Sequence, residues 1–191
     1  MSLTSNVNIL ALDMSGTPRA WIGLNDAVTY HAKGNVAWQY GDHEFVARGG
    51  YQKDGTQSII KTSSIIAVKA ENGFAIEKVR KDVVLTNRTL FGRDRHMCAY
   101  CGRTMAPKGL SREHIIPTSR GGLNVWTNVV TACFDCNCDK DNRLLSECGM
   151  HLLYVPYVPT HAERLILEGR NVLSDQMEFL RSRLGKNSRL L

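Results

Sequence analysis

The chain has 191 residues, a length that suits one domain or a compact pair of domains sharing a core. Apolar residues make up 43% of the composition and charged residues 22%, which is ordinary for a soluble globular protein and excludes a largely disordered chain. The formal net charge of +6 at pH 7 favours a polyanionic partner such as nucleic acid.

The N-terminal residues are not typical of a targeting or membrane segment. Residues 1–13 contain no basic stretch, and their only apolar run, residues 9–12, is too short for a signal peptide or a membrane span. We therefore expect a cytoplasmic protein with no membrane partner. In a reducing compartment, the cysteines are expected to bind metal or to be buried thiols rather than to form disulfides.

The first part of the chain is predicted to be rich in β-strands. Short apolar or β-branched runs bounded by Gly, Asp, Asn or Lys predict strands at residues 7–13, 19–23, 35–40, 44–48 and 58–69. Between the second and third strands, Asn25 is expected to cap a short helix over residues 26–33, with Gly34 as its stop. These elements predict a small β-rich N-terminal region over residues 1–86.

Two Cys-x-x-Cys pairs follow in the middle of the chain: Cys98 with Cys101, and Cys133 with Cys136. A two-residue spacer turns both sulfurs of a pair to the same side, so the four thiolates can bind one structural Zn²⁺. The 31 residues between the pairs exceed the usual spacing of a zinc ribbon, so this segment should hold structure of its own. Cys138 and Cys148 have no matching pair and are expected to be small buried side chains.

Most of the positive charge lies around the first cysteine pair. Residues 87–120 contain seven cations and two anions, a net charge of +5. Such a stretch alone is more often a solvated basic face, but its overlap with the cysteine pairs favours contact with nucleic acid. Arg112 and Arg120 are the first candidates for phosphate clamps. The expected nucleic-acid contacts are Arg95, Arg103, Lys108, Arg112, Arg120 and Lys140.

The segment between and just after the cysteine pairs contains an acid-histidine pair, Glu113-His114. Further along the chain come Pro117, Gly121, Gly122, Asn128, Asn137 and Lys140. In these residues and the cysteine pairs, the sequence resembles the HNH endonuclease family, whose fold is two antiparallel strands and a helix around a catalytic metal. The motifs that carry the resemblance cover about residues 93–149.

The resemblance implies a role for each polar residue of the motif. His114 would be the general base, Glu113 and Asn137 would bind the catalytic metal, and Asn128 would brace the hairpin and help to orient His114. Two positions depart from the common pattern. The acid is frequently Asp, so the longer Glu113 requires a shifted backbone or rotamer, and Asn137 in place of a histidine implies a harder, weaker metal site.

The same chemistry can be argued from the residue types alone. A histidine with a pKa of about 6.5 is largely neutral near neutral pH and can take the proton of an attacking water. Carboxylate and amide oxygens are hard ligands that suit Mg²⁺ or Mn²⁺, which can polarise a phosphate and support the leaving oxygen. We therefore expect a metal-dependent endonuclease that hydrolyses DNA phosphodiester bonds.

Two other functions remain open from the sequence. One is a non-catalytic zinc module that binds nucleic acid, in which Glu113 and His114 are structural relics. The other is a protein-interaction scaffold in which the cysteines only staple a small fold. The scaffold would leave the basic stretch and the acid-histidine pair unexplained.

The C-terminal segment is predicted to be helical. Residues 160–163 form a capping box, and apolar residues recur at helical spacing from Leu165 to Leu184, with an interruption near residues 169–171. The apolar stripe predicts either core packing or a homodimer surface. The whole chain is expected to be α+β, with the β-rich region (1–86), a zinc-stapled ββα-metal nuclease module (87–149) and a helical tail (150–191).

Overall fold

The computed structural model describes residues 7–69, 83–186 and 188–191, and it has the mixed α+β composition that the sequence predicts. The chain divides into two compact units. The first consists of Met1–Lys81 and Gly169–Arg183, and the second of Asp82–Glu168 and Leu184–Leu191. Within the described ranges, no helix has the length and apolar character needed to cross a membrane.

The first unit is built on a four-stranded sheet in the order β2-β1-β4-β3. Its strands are β1 (Asn8–Leu12), β2 (Pro18–Gly23), β3 (Val36–Tyr51) and β4 (Gln57–Val68). β1 pairs antiparallel with β2 and parallel with β4, and β3 pairs antiparallel with β4. Alternate residues of β1 and β4 point to one face and fill a core that includes Ile9, Ala11, Ile66 and Val68.

The separation of residues 35–40 and 44–48 into two strands was wrong, because β3 is continuous. The pairing of β3 with β4 shifts register between Tyr40 and Glu44 instead of ending there. Gly41 lies in this interval with a φ of 112°, a conformation that glycine adopts without steric cost. One strand can therefore pass through the irregularity as a bulge.

The helix α1 (Leu24–Ala32) lies where the sequence predicts a helix, but its cap differs. The cap residue is Gly23, and Asn25 lies inside the first turn, so the predicted cap was wrong. The backbone N–H of Gly23 donates to Asp26 Oδ2 at 3.4 Å, so the first-turn carboxylate replaces a capping side chain. Gly34, with a φ of 67°, follows the C-cap and ends the helix as predicted.

The second unit contains a two-stranded antiparallel hairpin followed directly by a helix. Its elements are α2 (Asn87–Arg93), β5 (Leu110–His114), β6 (Val129–Cys133), α3 (Phe134–Lys140), α4 (Leu145–Cys148) and α5 (His161–Glu168). β5 pairs with β6 from Leu110 opposite Cys133 to His114 opposite Val129, and α3 begins at the residue after β6. This is the predicted ββα order. Leu90, Phe91, Trp126 and Val129 belong to the core beside it.

Arg93 lies at the centre of the second unit and is fully buried. Its guanidinium donates to both carboxylate oxygens of Asp94, at 2.8 and 3.2 Å. It also donates to the backbone oxygens of Trp126, Tyr157 and Val129 at 2.8 to 2.9 Å. The positive charge of Arg93, although part of the basic stretch of the sequence, is therefore paired with Asp94 in the interior of the protein.

The C-terminal segment forms two helices, with the predicted interruption between them. Thr160 N donates to Glu163 Oε2 at 2.7 Å and Glu163 N to Thr160 Oγ1 at 3.3 Å, which confirms the capping box of α5. After the break, α6 (Ser174–Arg181) belongs to the first unit, whereas α5 belongs to the second. Leu165 and Leu180 of the apolar stripe are fully buried, so this part of the stripe packs in the cores of the two units.

Candidate functional site

Four cysteines of the second unit form a cluster of the right size for one metal ion. The sulfur atoms of Cys98, Cys101, Cys133 and Cys136 all lie within 4.8 Å of one another, and the Cys101 and Cys133 sulfurs are 3.9 Å apart. A tetrahedral Zn²⁺ with bonds of about 2.3 Å would hold its sulfurs about 3.8 Å apart. The cluster therefore fits such an ion. Cys138, which we expected to be buried, is exposed on α3.

Backbone hydrogen bonds bring the two cysteine pairs together. Ala99, inside the first pair, donates its N–H to the Thr131 oxygen of β6 at 2.7 Å. The chain then turns back at Gly102, whose φ of 74° allows its N–H to reach the Cys98 oxygen at 3.0 Å. In the second pair, Cys133 ends β6 and Cys136 lies in the first turn of α3. The strand-to-helix junction thus sets the second pair beside the first.

Arg103, which we predicted to contact nucleic acid, contacts the cysteine cluster directly. Its Nε lies 3.4 Å from Cys101 Sγ, its Nη2 lies 3.5 Å from Cys133 Sγ, and Nη2 also donates to Asp135 Oδ2 at 2.7 Å. Burial raises the pKa of Cys101, but hydrogen bonds, led by those from Arg103, more than offset this and lower it to about 6. Arg103 therefore favours the thiolate form that binds metal.

The loop between β5 and β6 is held by Asn128. Its Oδ1 accepts from Ile116 N at 3.0 Å, and its Nδ2 donates to the oxygens of Ile116 and Leu123 at 3.1 and 2.8 Å. The loop is so tight that a Cβ at Gly122 would lie 1.8 Å from the Ile116 oxygen, which explains the glycine. Asn128 therefore ties together two parts of the loop that follows His114.

Glu113 and His114, the last residues of β5, are joined through Lys140 of α3. Lys140 Nζ lies 2.6 Å from Glu113 Oε1 and donates to the backbone oxygen of His114 at 2.9 Å. Lys140 is fully buried, which corrects its predicted role as a nucleic-acid contact. In the part of the chain that the structure describes, no donor reaches Glu113 Oε2, so one carboxylate oxygen is unused by the protein.

Asn137 lies on the same face of α3 as Lys140, one turn earlier. Its Nδ2 donates to Ser111 Oγ at 2.8 Å, and Ser111 Oγ donates to the Ala132 oxygen at 3.2 Å. The NH₂ group is thereby used, whereas no described residue donates to Asn137 Oδ1. Asn137 and Lys140 lie three residues apart on one face of α3, and Ser111 and Glu113 lie two residues apart on one face of β5. Asn137 therefore contacts Ser111, and Lys140 contacts Glu113.

The imidazole of His114 has one unsatisfied ring nitrogen. Its Nε2 is buried from solvent and makes no hydrogen bond within the described part of the chain. Buried polar atoms nearly always have a partner, so this orphaned nitrogen marks a place for a missing ligand or water.

The remaining predicted nucleic-acid contacts fall into two groups. Arg112 donates to Asn124 Oδ1 at 2.9 Å, and Arg120 forms a 2.7 Å ion pair with Glu147, so both are engaged within the protein. Arg95 and Lys108 are exposed, and no described residue forms a hydrogen bond or ion pair with either side chain. Of the six expected contacts, these two are available to a phosphate without breaking another interaction.

Two residues near the site had no recognisable signal in the sequence. Ser111, which orients the Asn137 amide, precedes the motif as an ordinary strand serine. Tyr100 lies inside the first cysteine pair, and its hydroxyl is buried without a partner. Burial raises the pKa of Tyr100, and the negative charge of Glu113 raises it further. Both residues are near the site only because β5, α3 and the first cysteine pair meet in space.

Comparison with known proteins supports the resemblance seen in the motif. Residues 98–153 match a family model described as HNH endonuclease. No curated protein matches the chain. The matched segment starts at Cys98 and includes the cysteine cluster, the β5–β6 hairpin and α3. Residues 98–153 are therefore similar to the HNH endonuclease family.

Proposed function

We propose that the chain is an endonuclease that hydrolyses DNA phosphodiester bonds, with one divalent metal ion and His114 as general base. The observation that carries this proposal is the buried, unpartnered Nε2 of His114, the residue that follows Glu113 in the sequence. A neutral imidazole nitrogen with no partner can accept the proton of a water molecule placed against it. A structural histidine would be expected to have that nitrogen satisfied.

The unused oxygens of the site fit a hard divalent cation. Glu113 Oε2 and Asn137 Oδ1 would hold it, and Mg²⁺ or Mn²⁺ prefer such carboxylate and amide oxygens. When bound, the ion supplies positive charge that polarises the phosphate and stabilises the leaving oxygen. The protein supplies the base, and Asn128 holds the loop that follows it.

The cysteine cluster would hold a separate, structural Zn²⁺. Four cysteine ligands leave no open position for substrate, so the ion would hold the two cysteine pairs together rather than take part in hydrolysis. Exposed Arg95 and Lys108 would contact phosphates of the DNA.

The alternative, a non-catalytic zinc module that binds nucleic acid, has one specific observation in its favour. Glu113 already has a counter-charge in Lys140, so the carboxylate does not require a metal for its charge to be compensated. A module of this kind would bind DNA and leave it intact with or without a divalent ion.

Plasmid cleavage separates the two functions. Purified protein should cut a supercoiled plasmid with Mg²⁺ or Mn²⁺ and should stop when a chelator is added. Loss of a general base typically costs about 10² to 10⁴ in rate, so His114→Ala should bind DNA and barely cut it. His151→Ala, an exposed histidine of the same unit, is the matched control and should cut normally. Substantial cutting by His114→Ala would contradict the mechanism. If the wild type and both variants bind DNA but do not cut it, the non-catalytic zinc module is favoured.

A further inference from the structure

The ammonium group of Lys140 is buried against the carboxylate of Glu113, the residue proposed as a metal ligand. The side chain is fully buried, and among the described residues its ammonium group contacts Glu113 Oε1 at 2.6 Å and the His114 oxygen at 2.9 Å. A buried charge is tolerated only with close, well-aligned partners, and here both partners belong to the acid-histidine pair. A lysine so placed cannot reach a DNA phosphate without leaving them.

Lys140 uses one oxygen of Glu113 and leaves the other. The ion pair engages Oε1, and no described residue donates to Oε2. The amide of Asn137 is similar, because its Nδ2 donates to Ser111 Oγ and no described residue donates to its Oδ1. Two oxygens are therefore left unused on neighbouring side chains, each oriented by a contact through its other polar atom.

We infer that Lys140 is a positioning residue of the metal site: it fixes Glu113 through Oε1, so that only Oε2 is offered to a divalent cation, and its charge keeps that cation weakly bound. The inference rests on the proposed function, because it assumes a divalent ion at Glu113. It goes further by assigning to a buried lysine the control of metal affinity. The contact with the His114 oxygen ties the same lysine to the strand end that carries the base.

Two substitutions at position 140 should change metal affinity in opposite directions. Lys140→Met keeps an apolar side chain of similar length but removes the charge, so the divalent ion becomes the only counter-charge of Glu113. We expect Mn²⁺ to bind about tenfold more tightly or better, because a nearby positive charge has been removed from a shielded site. Lys140→Arg keeps the charge, but its planar fork can take both carboxylate oxygens, so Mn²⁺ should bind several-fold more weakly.

The measurement is Mn²⁺ binding to the zinc-loaded full chain without DNA, followed by the spectroscopic signal of the free ion. The melting temperature is recorded with and without Mn²⁺ as a second readout. In Lys140→Met, Mn²⁺ should restore much of the lost stability, whereas in the wild type it should add little. Lys53→Met, an exposed lysine of the first unit, is the control and should match the wild type. Glu113→Gln identifies the binding that depends on the carboxylate.

The outcomes separate the inference from the function on which it rests. If Mn²⁺ binding requires Glu113 but is equal in the wild type, Lys140→Met and Lys140→Arg, the lysine only ties α3 to β5 and the inference is overturned. If the wild type and Glu113→Gln bind Mn²⁺ alike, the metal site itself is wrong and both proposals fail. Should Lys140→Met not fold, weaker binding by Lys140→Arg supports the inference, and unchanged binding rejects it.

Discussion

Two arginines, Arg93 and Arg95, lie two positions apart in the basic stretch of residues 87–120, yet their environments are opposite. Arg93 is fully buried among Asp94 and three backbone oxygens, whereas Arg95 is exposed and makes no hydrogen bond or ion pair with any described residue. We predict that Arg93→Met destabilises the second unit strongly without altering any phosphate contact. We predict the reverse for Arg95→Met.

The contacts of Arg93 allow the cost to be estimated. Its removal leaves the fully buried Asp94 carboxylate without the guanidinium that compensates its charge, although the N–H of Thr131 still donates to it at 2.8 Å. Removing one partner of a buried ion pair typically costs about 3 to 5 kcal/mol. The backbone oxygens of Trp126, Tyr157 and Val129 lose a donor as well. Since whole domains are stable by about 5 to 15 kcal/mol, this unit should be close to unfolding.

Arg93→Lys keeps the charge but not the geometry. An ammonium group can satisfy only some of the five hydrogen bonds that the guanidinium makes. Two or three lost hydrogen bonds at about 1 kcal/mol each predict a cost of about 2 to 3 kcal/mol. The three variants should therefore rank in stability as Arg95→Met, then Arg93→Lys, then Arg93→Met.

Urea unfolding of the zinc-loaded proteins, followed by circular dichroism, measures the differences in free energy of unfolding. DNA binding at low salt is measured as a second property. Arg95→Met should lie within about 0.5 kcal/mol of the wild type, as is usual for surface changes. It should nonetheless weaken DNA binding and reduce its salt dependence, because one phosphate contact is lost. A cost below about 1 kcal/mol for Arg93→Met would refute the reasoning, because a buried guanidinium with these partners cannot be removed so cheaply.

Four further predictions follow from the sites. Cys98→Ser should lower zinc content and unfold the second unit, whereas Cys148→Ser should keep its zinc by elemental analysis. Arg103→Met should speed zinc release to a chelator several-fold with DNA affinity unchanged, and weaker DNA binding at an unchanged release rate would restore its role as a phosphate contact. Asn137→Ala should depress cutting strongly, while Asn137→His should keep some activity and shift metal preference toward Ni²⁺ or Co²⁺. If both variants cut normally with unchanged metal preference, Asn137 is not a ligand. Burial raises the pKa of Asp175, but hydrogen bonds led by that from Ser64 lower it overall to about 2. The stabilising effect of the ionised carboxylate is therefore present above its unfolded pKa and is lost as pH falls through about 2. Asp175→Asn should weaken this part of acid unfolding, measured by circular dichroism.

The local motifs were readable from the chain because their chemistry depends on short spacings. Two-residue spacers set the sulfurs of each cysteine pair side by side, so the four-cysteine cluster could be predicted before any tertiary contact was known. The hairpin-helix order around Glu113-His114, in contrast, was implied by the resemblance to the HNH family and not by spacing. The capping box of α5 and the glycine that ends α1 are also local, since each depends on backbone conformation within one turn.

The use of each charge was decided by contacts between residues far apart in the chain. Arg103 meets Asp135, and Lys140 meets Glu113, across separations of 32 and 27 positions that no spacing rule encodes. A lysine on a short helix has the same sequence pattern whether its amine reaches solvent or a buried carboxylate, and only the packing of α3 on β5 distinguishes the two.

The assignment of segments to the two units also depended on the folded chain. The apolar spacing of the C-terminal helices indicated buried faces but not which core each face joins. Gln176 of α6 donates to the backbone oxygens of Asn8 and Ser64, so this helix packs on the sheet of the first unit, more than 100 residues away along the chain. Periodicity records that a face is apolar, whereas the partner of that face is set by the competition among all surfaces during folding.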